Sequence, residues 1–395
     1  MKQMIVQCQP QMTQMALLEE GRLVEYAAEL PRKRGILGSF FKARVVNVLP
    51  GMQAAFVDIG QRKNAFLYVD DVLHAHLEKQ PEVKPSISEL LKVGQEIVVQ
   101  VLKEAVGSKG ARVTTHFSLP GRWIVYMPRA DYVAVSKKIE REGERARLKA
   151  MGEQLRTGEE GLIIRTVSEE MSIEAIENDL NQLRKQWAAI QRKAGEHSAP
   201  CELHRDLSIV QRLIRDVFTP EQDELVIDSE EQAKDAEVML HQIGSAKAHV
   251  KIFRNNAEET IFKAYGIHEQ LERDFARKVW LQGGGYIVID HTEALTVIDV
   301  NTGKFTGGSN LEETVTQTNI EAAEEIARLV RVRDIGGIII IDFIDMEQEE
   351  NRREVSSVLE ARLKKDRTKS YVVGWTRLGL LEMTRKKVRE EKTLV

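Results

Sequence analysis

The sequence has 395 residues, a formal net charge of −4, 42% hydrophobic residues and 30% charged residues. This composition predicts a folded protein of several domains and excludes a disordered chain. It also excludes a protein that attracts nucleic acid by its overall charge, so any such binding must use local basic patches. Its two cysteines, Cys8 and Cys201, form no C-x-x-C pair, which argues against a cysteine zinc site and a disulfide framework.

The N-terminal segment has the pattern of short strands and not of a leader. Met4 to Gln7 predicts one strand, and Gln14 to Leu30 predicts a hairpin that turns at Glu20-Gly21. The first thirty residues lack the apolar core of a signal peptide, and no apolar run approaches the ~20 residues of a membrane span. We therefore expect a cytoplasmic protein with no membrane part. The basic, glycine-containing segment Arg32 to Gly38 predicts a domain boundary.

Residues 38 to about 117 contain several short β-rich runs separated by turn residues, which predicts a small β-barrel. Alternation of side chains places Phe56 and Phe66 on the more polar faces of their strands, near Arg62, Lys63 and Lys109. Exposed rings beside cations are typical of a platform for single-stranded nucleic acid, on which bases stack while cations hold phosphates. The alternative, that a neighbouring domain covers the rings, fits the sequence equally well.

The next segment contains a possible phosphate site. Trp123 to Met127 predicts a strand, and the basic cluster from Ser136 to Lys149 is typical of a solvated helix face. Gly161 to Thr166 predicts an apolar strand that ends in Arg165 and Thr166. An arginine and a hydroxyl at a strand end can hold a phosphate, although an ordinary surface arginine explains the same residues.

A long helix and an alternating α/β segment follow. Ser172 to Ala194 predicts a helix with one apolar stripe, which packing in a core explains fully. The alternating elements after it are predicted as a helix at Leu207 to Phe218, a strand at Glu224 to Ile227, a helix at Glu230 to Ile243, a strand at His249 to Phe253 and a helix at Glu258 to Arg277. We interpret this segment as joining the N-terminal strands in one α/β unit, into which the β-barrel is inserted.

Two apolar runs near the C-terminus each carry an aspartate. Ala294 to Val300 contains Asp299, and Ile338 to Ile344 contains Asp342. Continuous apolar runs of this length predict strands that are buried on both faces. Glu312 to Arg333 has helical spacing, and strand, helix and strand together predict a right-handed crossover between parallel strands.

The crossover predicts that the two aspartates lie side by side, because parallel strands end at the same edge of a sheet. Two neighbouring carboxylates repel each other unless one is protonated or a cation lies between them. Asn301 adds a neutral oxygen two residues beyond Asp299. Such ligands suit Mg²⁺ first and Mn²⁺ second. The alternative is that Asp299 and Asp342 only cap helices or pair with lysines.

The last segments complete the predicted α/β pattern. Asn351 to Asp366 predicts a helix and Tyr371 to Trp375 a strand. The basic stretch from Arg377 to Arg389 is predicted to be helical.

Several long motifs in this order resemble the ribonuclease E/G family of endoribonucleases. The most specific are IDHTEALTVIDVNTG at Ile289 to Gly303, RDIGGIIIIDFIDM at Arg333 to Met346 and RLGLLEMTRKK at Arg377 to Lys387. QAAFVDIG followed by NAFLYV resembles the S1 domain of the family, and GLIIRT resembles its 5′-sensing region. The resemblance extends from the N-terminal strands to about Arg389.

The resemblance implies an α/β multidomain architecture. An RNase H-like α/β domain is interrupted by an S1 (OB-type) β-barrel and a 5′-sensor region, and a DNase I-like α/β nuclease domain follows. The implied boundaries are 1–37 and 215–278 for the two parts of the RNase H-like domain, 38–118 for the S1 barrel, 119–214 for the 5′-sensor region and 279–395 for the catalytic domain.

The resemblance also implies an activity, namely Mg²⁺-dependent endonucleolytic cleavage of single-stranded RNA in ribosomal-RNA processing and messenger-RNA decay. The family leaves 5′-phosphate and 3′-hydroxyl ends. Asp299 and Asp342 match its metal-binding aspartates, and Asn301 matches the asparagine that positions the scissile phosphate or water. The remaining matches are binding residues: Arg165, Thr166 and Arg377 for the 5′ monophosphate that stimulates cleavage, and Phe56, Phe66 and Lys109 for RNA on the S1 barrel.

One departure from the family pattern leaves alternatives open. The family continues into a C-P-x-C segment, where two protomers share zinc, and then into a small dimerising domain. Neither is present before Val395, so we expect no zinc in this chain and a weakened homodimer, in a truncated or naturally shortened form. The alternatives to a nuclease acting on RNA are a non-catalytic RNA-binding protein, an inactive fragment of such a nuclease and a nuclease acting on DNA.

Overall fold

The computed structural model describes residues 2–30, 35–73, 83–105, 109–219, 223–242, 250–255, 259–303 and 311–387. The chain divides into two compact units. One comprises residues 1–31, 219–237 and 247–395, and the other comprises residues 32–218 and 238–246. Throughout the described ranges, no helix has both the length and the apolar character needed to cross a membrane.

The described strands are numbered in chain order. They are β1 (Lys2–Cys8), β2 (Thr13–Glu19), β3 (Arg22–Glu29), β4 (Phe40–Leu49), β5 (Ala54–Asp58), β6 (Ala65–Tyr68), β7 (Glu96–Lys103), β8 (Arg112–Thr114), β9 (Leu119–Pro120), β10 (Ile124–Met127), β11 (Val133–Val135), β12 (Gly161–Ile164), β13 (Cys201–His204), β14 (Glu224–Ile227), β15 (Val250–Ile252), β16 (Lys278–Trp280), β17 (Tyr286–His291), β18 (Leu295–Asn301), β19 (Gly337–Asp342), β20 (Ser370–Trp375) and β21 (Leu381–Arg385).

The described α-helices are numbered in the same way. They are α1 (Ile87–Leu90), α2 (Glu142–Leu155), α3 (Ile173–Glu196), α4 (Ile209–Asp216), α5 (Glu230–Gln242), α6 (Ile261–Ala264), α7 (Ile267–Phe275), α8 (Leu311–Val332) and α9 (Glu349–Leu363). Short 3-10 turns lie at Pro50–Met52, Val69–Asp71 and Thr166–Ser168.

The N-terminal strands and the βα segment form one sheet, in the order β15-β14-β1-β2-β3. β1 pairs with β14 in parallel, which confirms that the later segment joins the first strands. The predicted hairpin is also confirmed, since Glu20 and Gly21 turn the chain with positive φ angles. The single helix predicted for Glu258 to Arg277 is wrong. It is divided into α6 and α7 at Gly266, whose φ of 60° lies outside the helical range.

The predicted β-barrel is confirmed. Its strands pair in the order β4-β5-β6-β8-β7, and pairing of β4 with β7 closes the barrel, while β13 adds to β4. Closure leaves no open edge between the five strands, so every strand can bury one face against the others. The buried faces of β5 and β6 are those that alternation predicts, with Ala55, Val57, Ala65 and Leu67 fully enclosed.

A second sheet of the same unit has the order β11-β12-β10-β9 and packs with α2 and α3. The predicted stripe of α3 is confirmed, because its apolar side chains fill this core: Ile176, Leu180, Leu183, Trp187 and Ile190. Ser172 begins the helix by accepting a hydrogen bond from the Ala175 N–H, as an N-cap residue does. Leu162 and Ile164 of β12 are buried in the same core, so the strand is packed up to the residue before Arg165.

The C-terminal sheet has the order β16-β17-β18-β19-β21-β20, and α8 connects the parallel strands β18 and β19. This confirms the predicted crossover. The expectation that both strands are buried on two faces is wrong. Their burial alternates, with Ile298, Ile339 and Ile341 in the core against α8 and α9, while Ile338 on the opposite face is 49% exposed. The second face, called the open face below, carries both aspartates.

The helix predicted for Arg377 to Arg389 is wrong as well over the described residues, which end at Lys387. Leu381–Arg385 forms strand β21, in which Leu381, Met383 and Arg385 are buried and the residues between them are half-buried. Burial that alternates at every second residue is typical of a strand. The many basic residues of this segment made the alternation hard to recognise in the sequence. Arg385 can lie inside because its guanidinium binds the carboxylates of Asp366 and Asp334.

Candidate active site

Asp299 and Asp342 occupy directly paired positions on neighbouring strands. In the parallel ladder of β18 and β19, Ile298 pairs with Ile341 and Asp299 pairs with Asp342. Both aspartates are exposed on the open face, at the C-terminal ends of their strands. The predicted meeting of the two carboxylates at one sheet edge is therefore confirmed, and their role in metal binding stays a prediction.

Within the described ranges, no basic side chain balances the charges at this edge. Partial burial, followed by the negative charges of Asp299 and Asp345, raises the pKa of Asp342 above its usual range. Over the described ranges, no lysine or arginine forms an ion pair with Asp299 or Asp342. Asn301 donates a hydrogen bond of 2.6 Å from Nδ2 to Asp299 Oδ2. The site therefore combines an oriented carboxylate with negative charge that no described lysine or arginine balances.

This donor set suits a hard divalent cation that keeps much of its own water. Among the described residues, no three His, Cys, Asp or Glu side chains come close enough together to hold a metal ion. The Asp299 and Asp342 carboxylates would thus supply two ligands, and water or substrate oxygens would supply the others. Mg²⁺ binds in this way, through one or two carboxylates together with phosphate oxygens.

Arg165 directly follows β12, and its guanidinium binds a backbone carbonyl and a carboxylate. Its Nη1 donates to the Gly121 carbonyl at 2.5 Å, and its Nη2 lies 2.7 Å from Asp216 Oδ1. Burial alone would raise the pKa of Asp216, but hydrogen bonds and charge from Arg215, together with Arg165, lower it to about 2. Asp216 is thus ionised at neutral pH and fixes the direction of the Arg165 guanidinium.

The loop opposite Arg165 is held by one carboxylate. Asp179 of α3 accepts hydrogen bonds from the backbone N–H groups of Arg122, Trp123 and Ile124. Gly121 precedes this loop, and a Cβ there would lie 2.4 Å from Asp179 Oδ2, so a side chain at this position would displace the Asp179 carboxylate. The Gly121 carbonyl is therefore presented to Arg165 by a rigid loop.

The other predicted phosphate-binding residues differ in their surroundings. Thr166 shares a hydrogen bond of 2.8 Å with the hydroxyl of Ser136, which places a second hydroxyl beside Arg165. Arg377 belongs to the other compact unit, where it is exposed in the turn between β20 and β21. Its membership of the phosphate pocket stays a prediction.

Phe56 and Phe66 lie directly opposite each other on β5 and β6. Their ring centroids are 5.8 Å apart at an interplanar angle of 69°, and both rings are half-buried. Lys109 is exposed on the segment leading to β8. Both alternatives for the rings, RNA contact and cover by a neighbouring domain, remain consistent with half-burial, so their role stays a prediction.

Residues 118–388 match the Ribonuclease E/G family. The chain belongs to the ribonuclease E/G family. It is 42% identical to Ribonuclease G of Haemophilus influenzae, over 98% of this chain and 80% of that protein. It is 41% identical to Ribonuclease G of Escherichia coli K12 over the same shares of the two chains.

More distant members of the ribonuclease E/G family match as well. Ribonuclease E of Synechocystis is 39% identical over 89% of this chain and 52% of that protein. Membership confirms the resemblance inferred from the motifs and identifies the chain as an endoribonuclease. The motif at Arg333 to Met346, which contains Asp342, falls within the matched residues.

Sequence reasoning missed the partners that shape these sites. Asp216, Asp179 and Ser136 each bind a residue at least 30 positions away, and such pairs leave no pattern in a local stretch of sequence. The negative charge of Asp345 helps to raise the pKa of Asp342. This neighbour could have been found from the sequence, because Asp345 directly follows the apolar run that contains Asp342.

Proposed function

We propose that this ribonuclease E/G chain hydrolyses single-stranded RNA internally with Mg²⁺, or Mn²⁺, held by Asp299 and Asp342, and leaves 5′-phosphate and 3′-hydroxyl ends. The observation that supports this most is the direct pairing of the two aspartates across β18 and β19 without a basic partner in the described ranges. Substrates in ribosomal-RNA processing and messenger-RNA decay, action in the cytoplasm and a homodimer belong to the same proposal.

The residues of the site have separate roles in this proposal. Asp299 and Asp342 bind the cation and the hydrogen bond from Asn301 keeps the Asp299 carboxylate in one orientation. When bound, a divalent cation polarises the scissile phosphate and lowers the pKa of an attacking water. Asn301 also orients that water or the phosphate, because a side-chain amide offers both a donor and an acceptor.

Stimulation by a 5′ monophosphate is assigned to Arg165, Thr166 and Arg377. A guanidinium binds a phosphate best when its direction is fixed beforehand, since less conformational entropy is lost on binding. Asp216 and the Gly121 carbonyl provide this fixing for Arg165. Phe56, Phe66 and Lys109 would hold RNA on the barrel through stacking and charge.

Two matched RNAs test the proposal. One carries a 5′ monophosphate and the other a 5′ hydroxyl on the same A/U-rich single strand, and each is incubated with Mg²⁺ or with EDTA. We expect internal cuts only with Mg²⁺ and faster cutting of the monophosphate form. RNA binding without Mg²⁺-dependent cuts would favour the non-catalytic alternative instead.

The phosphate pocket has its own test. Arg165→Lys keeps the charge but loses the planar guanidinium, so we expect the preference for the 5′-monophosphate RNA to fall about tenfold while the 5′-hydroxyl RNA is cut at the same rate. Lys185→Arg, on the exposed side of α3, is the control and should leave both rates unchanged. An unaltered preference in Arg165→Lys would contradict the assignment.

A further inference from the structure

An aromatic and cationic cluster lies on the open face of the C-terminal sheet, and none of the roles above uses it. Trp280 of β16 and Tyr286 of β17 have ring centroids 5.3 Å apart at an angle of 62°. Lys278 Nζ lies 4.3 Å from the Trp280 ring centroid and 3.6 Å from that of Tyr286. Trp280 is 49% exposed. We call Lys278, Trp280 and Tyr286 the aromatic platform.

The register of the sheet connects the aromatic platform to the paired aspartates. Trp280 pairs with Tyr286, and Tyr286 pairs with Asn301. Side chains at directly paired positions lie on the same face, so the platform and Asn301 share the open face with Asp299 and Asp342. Tyr286 is the diagonal neighbour of Asp299 across one strand pair, a separation of about 7–8 Å. A nucleotide next to the reacting phosphate spans such a distance.

The backbone passes close to the two rings at Gly303. Gly303 follows β18 with a φ of 59°, and a Cβ there would lie 3.1 Å from Tyr286 Cδ1 and 3.3 Å from Trp280 Cζ3. It would also lie 2.5 Å from the Gly284 carbonyl, so a side chain at this position would displace the rings or the turn. Glycine lets the chain pass close to the platform edge while Trp280 stays exposed.

We infer that the aromatic platform binds the base of a nucleotide that directly flanks the scissile phosphate of single-stranded RNA. The inference rests on the proposed function, because it places the reacting phosphate at Asp299 and Asp342. Aromatic faces stack on any base, and a neighbouring ammonium binds a backbone phosphate. Half-exposed rings with an attached cation on the face of the acidic pair match both features of RNA, its bases and its charge.

The first experiment combines a protein change with a substrate change. Trp280→Ala and wild type are compared on an RNA with one mapped cleavage site and on RNAs with an abasic nucleotide at either flanking position. We expect Trp280→Ala to lower kcat/KM about 5- to 150-fold, the range of one base–aromatic stack. At the flanking position whose base stacks on Trp280, Trp280→Ala and the abasic nucleotide together should lower kcat/KM no further than either change alone.

Two variants serve as controls for this cycle. Trp280→Phe keeps an aromatic face and should recover most of the lost kcat/KM. Tyr371→Ala removes a ring that lies 4.9 Å from Lys369 Nζ on the same open face. Tyr371 pairs with Thr384, which pairs with Ile338, and Ile338 lies four residues before Asp342 along β19. It should leave kcat/KM within about twofold of wild type. The inference would be overturned if, at both flanking positions, the loss of kcat/KM from Trp280→Ala and the loss from the abasic nucleotide were independent, so that the combined loss equals their product.

A second readout separates this inference from the proposed function. RNA with 2-aminopurine at each flanking position is bound to the whole chain, and its fluorescence is quenched where the base stacks on a ring. Quenching by wild type that Trp280→Ala abolishes supports the platform even if no RNA is cut, an outcome that would contradict the proposed function alone. Equal quenching by wild type and Trp280→Ala overturns the inference. If Trp280→Ala also changes the sedimentation coefficient, the platform is instead a contact between two copies of the chain.

Discussion

The C-terminal sheet and the helices beside it contain aspartates of opposite kinds. Asp274 is fully buried, and Arg328 donates to it from Nη1 at 2.5 Å and from Nη2 at 2.8 Å. Asp366 is buried as well, and Arg385 Nε donates to it at 2.7 Å. These carboxylates are neutralised inside the protein, as buried charges must be.

Asp299 and Asp342 are treated in the opposite way. They are exposed and paired with each other, and no lysine or arginine of the described ranges neutralises them. Like charges that the fold places together are a cost to stability, which protonation of one carboxylate or a bound cation removes. The C-terminal sheet and its helices thus contain carboxylates that arginines neutralise in the interior and, on the open face, a carboxylate pair that no described lysine or arginine neutralises.

The largest predicted effect separates activity from stability at the acidic pair. Asp299→Asn and Asp342→Asn should each lower the rate of Mg²⁺-dependent RNA cleavage on the order of 10³-fold, because a cation supplies several kcal/mol of transition-state stabilisation. The urea midpoint of unfolding should stay the same or rise, since a like-charge repulsion is removed. Cleavage near the wild-type rate would contradict the metal assignment.

For a buried, neutralised aspartate such as Asp274, we predict a loss of stability. Asp274→Asn removes one of the two carboxylates that bind the buried Arg328 guanidinium, the other being Glu325. Because Glu325 still balances part of the charge, the loss of unfolding free energy should lie toward the lower end of the ~3–5 kcal/mol that breaking a buried pair costs. Urea unfolding followed by circular dichroism measures the loss. Asp290→Asn, which breaks the exposed pair of Arg277 and Asp290, is the matched control and should leave the midpoint unchanged. A loss in the control equal to that in Asp274→Asn would remove the distinction.

Local sequence predicted the acidic pair well because its cause is local. Apolar runs, a helical repeat and the crossover rule determine that Asp299 and Asp342 become neighbours, whatever the rest of the chain does. The same reasoning failed where long-range pairing decides. Basic residues favoured a helix at Arg377 to Arg389, yet β21 forms there by pairing with β19 and β20, and Arg385 binds the carboxylates of Asp366 and Asp334.

Exposure of the sheet was predicted wrongly for a related reason. An apolar run shows that a strand can be buried on both faces, but the cover comes from elements elsewhere in the chain. In the core of the C-terminal unit α8 and α9 pack on one face, so Ile338 and the aromatic platform remain on the other. The motif therefore could not show that the face carrying Asp299 and Asp342 is exposed.

A smaller effect is predicted for Asp216, which belongs to the neutralised kind. Its pKa falls from an ordinary 3.8 to about 2, so its contribution to stability is present above pH ~4 and is lost as pH falls toward 2. The difference amounts to about 2 kcal/mol. Urea unfolding at pH 5 and pH 3 should show a larger loss for wild type than for Asp216→Asn. Equal losses would mean that Arg215 and Arg165 do not stabilise its charge.

The smallest predicted effect concerns the proton affinity of Asp342. Its pKa is raised by partial burial and then by the charges of Asp299 and Asp345, so folding favours the protonated carboxyl and this contribution is lost as pH rises through the raised pKa. Carbon-13 NMR of the metal-free protein should show a lower Asp342 pKa in Asp299→Asn, and a smaller decrease in Asp345→Asn. An unchanged pKa in Asp299→Asn would mean that the two carboxylates are too far apart to share one cation.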